Sequence, residues 1–143
     1  MSSAKEAVRV TRVLHAIILF SIPMYAVAGE LFGQLAVEQG RIIRGVLIAF
    51  ALMNAGIAQL FGRRIVTAAE ATLARNASDD TALGRWRQGH LITFVLCESV
   101  ALFGLALRIL GGDLLQAAPF YVLAFVLMLL WAPRGEFVQQ MKS

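Results

Sequence analysis

One carboxylate, Glu98, lies inside the apolar run Leu91-Ile-Thr-Phe-Val-Leu-Cys97-Glu98-Ser99-Val-Ala-Leu-Phe-Gly104-Leu-Ala-Leu107. A charge at the centre of a bilayer costs a few kcal/mol or more, so such a residue marks a use: an ion, a proton or a partner helix. Counted from Gln88 at ~1.5 Å per residue, Glu98 lies about 15 Å into its run, near the midplane of a bilayer. Asn54 lies nine residues before Arg63 in another apolar run, at nearly the same depth. Glu98 and Asn54 are the expected polar pair, with Gln59 one to two turns nearer the basic end. Desolvation favours the uncharged form of a carboxyl, and an uncharged carboxyl can donate to Asn54 and join two helices. A carboxylate assisted by Gln59, Ser99 or backbone oxygens could instead hold Na⁺ or pass a proton. Helix joining is the first reading. Ser99 and Thr93 can also bond carbonyls of their own helix.

The remaining reactive residues do not assemble into a reaction centre. His15 and His90 have no third ligand in view, so no metal site is expected. Cys97, the one cysteine, excludes an internal disulfide and a cysteine metal cluster, and reads as a packing residue. There is no Gly-rich phosphate loop and no nucleophile–base pair. Neither enzyme activity nor a cofactor is expected.

The elements that must position Glu98 are apolar helices. Of the 143 residues 59% are hydrophobic and 15% charged, against roughly half and a quarter in soluble domains. Four stretches carry no Lys, Arg, Asp or Glu apart from Glu98: Val13–Gly29, Gly45–Gly62, Gly89–Leu107 and Leu114–Pro133. Each, with its flanks, approaches the ~20 residues that cross a bilayer. The fold class is all-α, an integral membrane four-transmembrane-helix bundle forming a single domain. Spans are expected at about 13–32, 42–62, 89–110 and 115–132. Between the second and third, 63–88 should be a helical loop, with Ser78 or Asp79 as N-cap. Gly29 and Gly33 offer a close-packing pair near the far end of the first span. Glu30 there is expected to be solvated or paired with an arginine. Pro23 lies within that span.

Charge sets the orientation. All Lys and Arg except Arg41, Arg44 and Arg108 lie in the N-terminal segment, the central loop or the tail from Arg134 to Lys142. The positive-inside rule then makes both termini cytoplasmic, in a membrane expected to be the bacterial inner membrane. The net charge of +4 belongs to this flanking pattern and does not indicate nucleic-acid binding. Lys5, Arg9 and Arg12, an apolar run and Ala26-Val27-Ala28-Gly29 also have the outline of a secretory signal, the rival reading of the first span.

A shift of 75 residues superposes Arg12 on Arg87, His15 on His90, Ala26 on Ala101, Gly29 on Gly104, and Ala49-Phe50-x-Leu52-Met53 on Ala124-Phe125-x-Leu127-Met128. The two halves are expected to be related hairpins, as parallel repeats. Glu98 falls on Pro23, so its site is in one copy only.

The stretch Asn54-Ala-Gly56-Ile-Ala-Gln59-Leu-Phe-Gly62-Arg63-Arg64, through Ala74-Arg75-Asn76, to Cys97-Glu98-Ser99-Val-Ala-Leu-Phe-Gly104 resembles the hairpin of the rotary ATP synthase c subunit. That hairpin has a small-residue helix, an Arg-containing turn, and a helix with a mid-membrane carboxylate. The likeness covers residues 54–107. The family's alternating Gly repeat and the Pro of its polar turn do not occur here, and the loop is longer. The resemblance implies an oligomeric protein carrying H⁺ or Na⁺ on Glu98, with Gln59 and Ser99 as helpers. Two functions are therefore carried forward. One is a structural or accessory subunit of a larger membrane assembly, in contact with the lipid bilayer and with copies of itself or other membrane subunits. The other is an ion-translocating oligomer.

Overall fold

The structure, a computed structural model, describes residues 3–33, 41–76 and 78–134. The connection over residues 34–40 and the tail with Lys142 lie outside the described residues. Among those described, all regular structure is helical: α1 Ser3–Phe32, α2 Arg41–Ile57, a π-helical turn Ala58–Gly62, α3 Arg63–Arg75, α4 Asp80–Ile109 and α5 Leu114–Leu130.

Three helical stretches are long and apolar enough to cross a membrane: Ala4–Phe32, Ile42–Arg75 and Asp80–Ile109. Helix α5 is the most apolar of the helices but has 17 residues, about 26 Å at ~1.5 Å per residue. Helices α2 and α3 run on through the π turn, so the central loop continues as helix to Arg75. Asp79 caps α4 by accepting from the Ala82 amide at 2.9 Å. This leaves the capping role with Asp79 and not Ser78, whose hydroxyl donates to Asn76.

Helix α4 is the hub, packing against α1, α5 and the α2–α3 helix. Its buried residues run almost continuously from Ala82 to Leu107, including Trp86, His90, Phe94, Cys97, Ala101 and Gly104. The turn to α5 follows from Gly111-Gly112-Asp113. Gly111 has φ 91°, a conformation that favours glycine. The Gly112 amide donates to the Leu107 carbonyl at 2.9 Å and the Gly111 amide to Arg108 at 3.1 Å, a Schellman ending. Asp113 then caps α5 through the Gln116 amide at 2.7 Å. Helices α4 and α5 thus form a tight hairpin. Helices α1 and α2 share little contact; each packs on α4.

Small residues allow these approaches. A Cβ at Gly62 would lie 2.1 Å from Thr93 Oγ1, and one at Gly104 would lie 3.0 Å from Phe120 Cβ. At Gly29 it would meet Arg108 Cγ at 3.1 Å. The expected close-packing role of Gly29 is therefore filled by the far end of α4.

The outward faces are apolar. On α1 the exposed row is Val10, Val13, Ile17, Phe20, Met24, Val27 and Leu31, spaced alternately three and four residues apart. Helix α2 exposes Ile42, Val46, Phe50 and Met53, and buries mainly Ala51. In water such faces would be untenable; in hydrocarbon they are the ordinary surface of a spanning helix.

Candidate functional site

Glu98 is half-buried on α4 and its hydrogen bonds go to α1. Tyr25 donates its hydroxyl to Glu98 Oε1 at 2.6 Å, and Ser21 donates to the same oxygen at 3.2 Å. Ser21 Oγ also lies 2.7 Å from the Ile18 carbonyl. Ser21 and Tyr25 are one helical turn apart, so both face α4. The parallel packing of α1 on α4 sets their depth, because Glu30 reaches Arg108 farther along the same pair of helices.

Asn54 and Gln59 are also half-buried, but the hydrogen bonds of Glu98 do not include them. Gly62 lies opposite Thr93 and Gly89 opposite Ile65 and Val66. Running the antiparallel register back from these contacts sets Ile57 level with Glu98, and Asn54 nearer Ala101. Gln59 sits in the π turn and lines a cavity toward the basic end. Ser99 donates to the Val95 carbonyl at 2.8 Å and Thr93 to the Gly89 carbonyl at 2.8 Å. Both hydroxyls are engaged within their own helix.

Sequence reasoning missed Ser21 and Tyr25. A signal for them existed: the 75-residue superposition puts Glu98 on Pro23, midway between the two. Parallel helices at that offset carry those hydroxyls to the depth of the carboxyl.

Two further polar groupings flank this level. At the Gly111 end, Arg108 pairs with Glu30 at 2.8 Å, its side chain 13% exposed against 48% for Glu30. The Arg108 guanidinium also donates to the Gly112 carbonyl at 2.5 Å. Arg108 Nε and the Tyr121 hydroxyl are buried there without a hydrogen-bond partner.

At the basic end, α1 closes the end of α5. His15 Nε2 lies 2.8 Å from the Met128 carbonyl. Arg12 donates to the Pro133 carbonyl at 3.1 Å and the Arg134 carbonyl at 2.7 Å. The last carbonyls of a helix have no partner within it, and cationic groups there also meet the negative end of its dipole.

Deeper on that side, His90 is 3% exposed and enclosed by aromatic rings. Its ring centroid lies 4.6 Å from Trp86, 5.7 Å from Phe94 and 6.4 Å from Trp131. Neither ring nitrogen has a hydrogen-bond partner. His90 lines a cavity of about 700 Å³ between α3, α4 and the end of α5. Among the described residues no three His, Cys, Asp or Glu side chains are grouped as metal ligands.

Comparison with family models, with curated proteins and with solved structures finds no match for this chain.

Proposed function

We propose that the chain is a small integral membrane protein with four spans, α5 being the fourth, and that it serves as a structural or accessory subunit of a larger membrane assembly. The observation that carries this reading is the pair of α1 hydroxyls on one oxygen of Glu98. In hydrocarbon a polar contact between helices has no water to compete with it, so the carboxyl acts as a fastener between α1 and α4. Helix α4 is held on its other flank by Ala51, Ala58 and Gly62 of the α2–α3 helix. The apolar outer rows of α1 and α2 are surfaces for lipid and for neighbouring helices, from copies of this chain or from other membrane subunits. Both termini and the α3–α4 turn lie on the cytoplasmic side, in accord with the charge bias, in a membrane of the bacterial inner-membrane type.

A second reading rests on one specific observation. Glu98 falls on the row of α4 that contains exposed Leu91, Val95, Leu102 and Ile109, so the carboxyl borders the lateral surface. A hydroxyl-lined carboxyl in that position could exchange H⁺ or Na⁺ with a neighbouring subunit, as the c-subunit resemblance implies.

The experiment is to purify the Glu98→Gln and Glu98→Leu variants, measure the particle mass in mild detergent, and measure H⁺ and Na⁺ flux after reconstitution. The structural reading expects Glu98→Gln to assemble normally, since an amide oxygen still accepts from Tyr25 and Ser21, and expects the wild type to carry no flux. Flux in the wild type that Glu98→Gln abolishes with assembly intact would transfer the conclusion to ion translocation.

A further inference from the structure

We infer that the cavity beside His90 is a binding site for a phosphate group. The inference rests on the proposal that this end of the bundle lies at a membrane surface. Three independent observations converge on it.

The first is space. About 700 Å³ lies between α3, α4 and the end of α5, room for a phosphate and the glycerol or sugar that bears it. The second is charge. Arg63 and Arg134 line the cavity, and among the described residues neither forms an ion pair. The carboxylate in the lining, Glu70, already accepts from the Trp86 indole at 3.1 Å. Two guanidinium groups against one carboxylate, whose charge the indole bond leaves in place, give the lining a net positive charge among the described residues. Guanidinium donors match phosphate oxygens in pairs. The third is an incomplete hydrogen-bond inventory. His90 is almost fully buried in an aromatic surround, yet both of its ring nitrogens lack partners. Buried polar atoms without partners are uncommon and call for an explanation. A phosphate oxygen entering the cavity against the His90 ring supplies the missing acceptor, with Gln59 at hand as a further donor; the Thr67 hydroxyl already donates to the Arg63 carbonyl at 2.7 Å.

The chemistry recognised is a phosphate mono- or diester. Its two sources are an anionic phospholipid, whose headgroup would lie at this depth, and a soluble phosphate ester from the aqueous side.

The two tryptophans of the chain are Trp86 and Trp131. Both touch the His90 ring, so intrinsic fluorescence reports on the cavity directly. The full-length protein is reconstituted in phosphatidylcholine nanodiscs with increasing phosphatidylglycerol. In a second arm, sn-glycerol 3-phosphate is added to nanodiscs of phosphatidylcholine alone. The expected result is a saturable change in tryptophan emission in at least one arm. Arg63→Gln and Arg134→Gln should each weaken it about tenfold or more, the size of one lost charge-assisted hydrogen bond. His90→Phe keeps the aromatic packing and should weaken it too, which covers the case of an arginine variant that does not fold. Arg85→Gln with Arg87→Gln removes exposed charge outside the cavity lining and should leave the response unchanged. A response in the first arm alone assigns the lipid headgroup; a response in the second assigns a soluble ester. No saturable change in either arm, or an equal loss in the Arg85/Arg87 control, would overturn the inference.

Discussion

Removing the Tyr25 hydroxyl is the sharpest probe of how α1 is held. In Tyr25→Phe the ring stays and the 2.6 Å bond to Glu98 disappears. Hydrogen bonds to charged groups contribute about 1.5–3 kcal/mol in soluble proteins. Side-chain bonds between membrane helices average only about 0.6 kcal/mol, with a maximum near ~1.7, because the unfolded chain in the membrane also finds partners. Glu98 is half-exposed and keeps Ser21 as a donor, which argues for the lower range. The short distance argues upward. The expected loss is therefore about 1 kcal/mol. Glu98→Leu removes the acceptor of both hydroxyls and should cost about 1–2 kcal/mol, while Glu98→Gln should cost less than about 0.5 kcal/mol because its amide oxygen still accepts. The assay is reversible unfolding in mixed micelles, followed through a double-mutant cycle between Tyr25→Phe and Glu98→Leu. The cycle should return a coupling of about 1 kcal/mol. A coupling indistinguishable from zero, or equal costs for Glu98→Gln and Glu98→Leu, would refute the reasoning.

Other substitutions test the packing. Gly62→Ala introduces a Cβ 2.1 Å from Thr93 Oγ1 and should cost about 1–3 kcal/mol; adding Thr93→Ala should recover part of that loss in the same unfolding assay. Gly111→Ala forces a side chain into φ 91° and should lower stability by about 1 kcal/mol. His15→Leu removes the shorter of the two bonds to the Met128 carbonyl, leaving the Trp131 amide at 3.2 Å, and should cost about 1 kcal/mol, seen as earlier hydrogen exchange at the end of α5. Glu30→Gln breaks the pair with Arg108, yet Glu30 is 48% exposed, so the loss should stay below about 1 kcal/mol and shrink in high salt.

Helices were legible in the sequence and their neighbours were not. The charge-free stretches from Val13, Gly45, Gly89 and Leu114 each became helical, and the extension of the second through Arg75 follows from its Ala-rich composition. Local chemistry was partly readable: Asp79 was one of two candidate caps, Ser99 and Thr93 bond backward within their own helix, and Glu30 took the arginine of its two expected partners, arginine or water. All these depend on residues close in sequence or on depth alone.

Depth does not tell which helix lies beside which. Asn54 and Tyr25 are both near enough in level to Glu98, and only packing around α4 decides between them. The π turn at Ala58–Gly62 adds to the difficulty. An extra residue in one turn alters the faces of everything beyond it, and no pattern in Ala-Gln-Leu-Phe-Gly announces it. The His90 cavity escaped for a similar reason. Its lining comes from α3, α4 and the end of α5, so no single segment carries its signature.

The most direct test of the central claim is the reaction of Glu98 with a hydrophobic carbodiimide, measured across pH with and without Na⁺. Such reagents attack protonated carboxyls in apolar surroundings. The account expects slow modification in the wild type, indifferent to Na⁺, and faster modification in Tyr25→Phe, where the carboxyl has lost its closest partner. Fast wild-type modification that Na⁺ blocks, unchanged by Tyr25→Phe, would contradict it and make Glu98 an exchanging ion site.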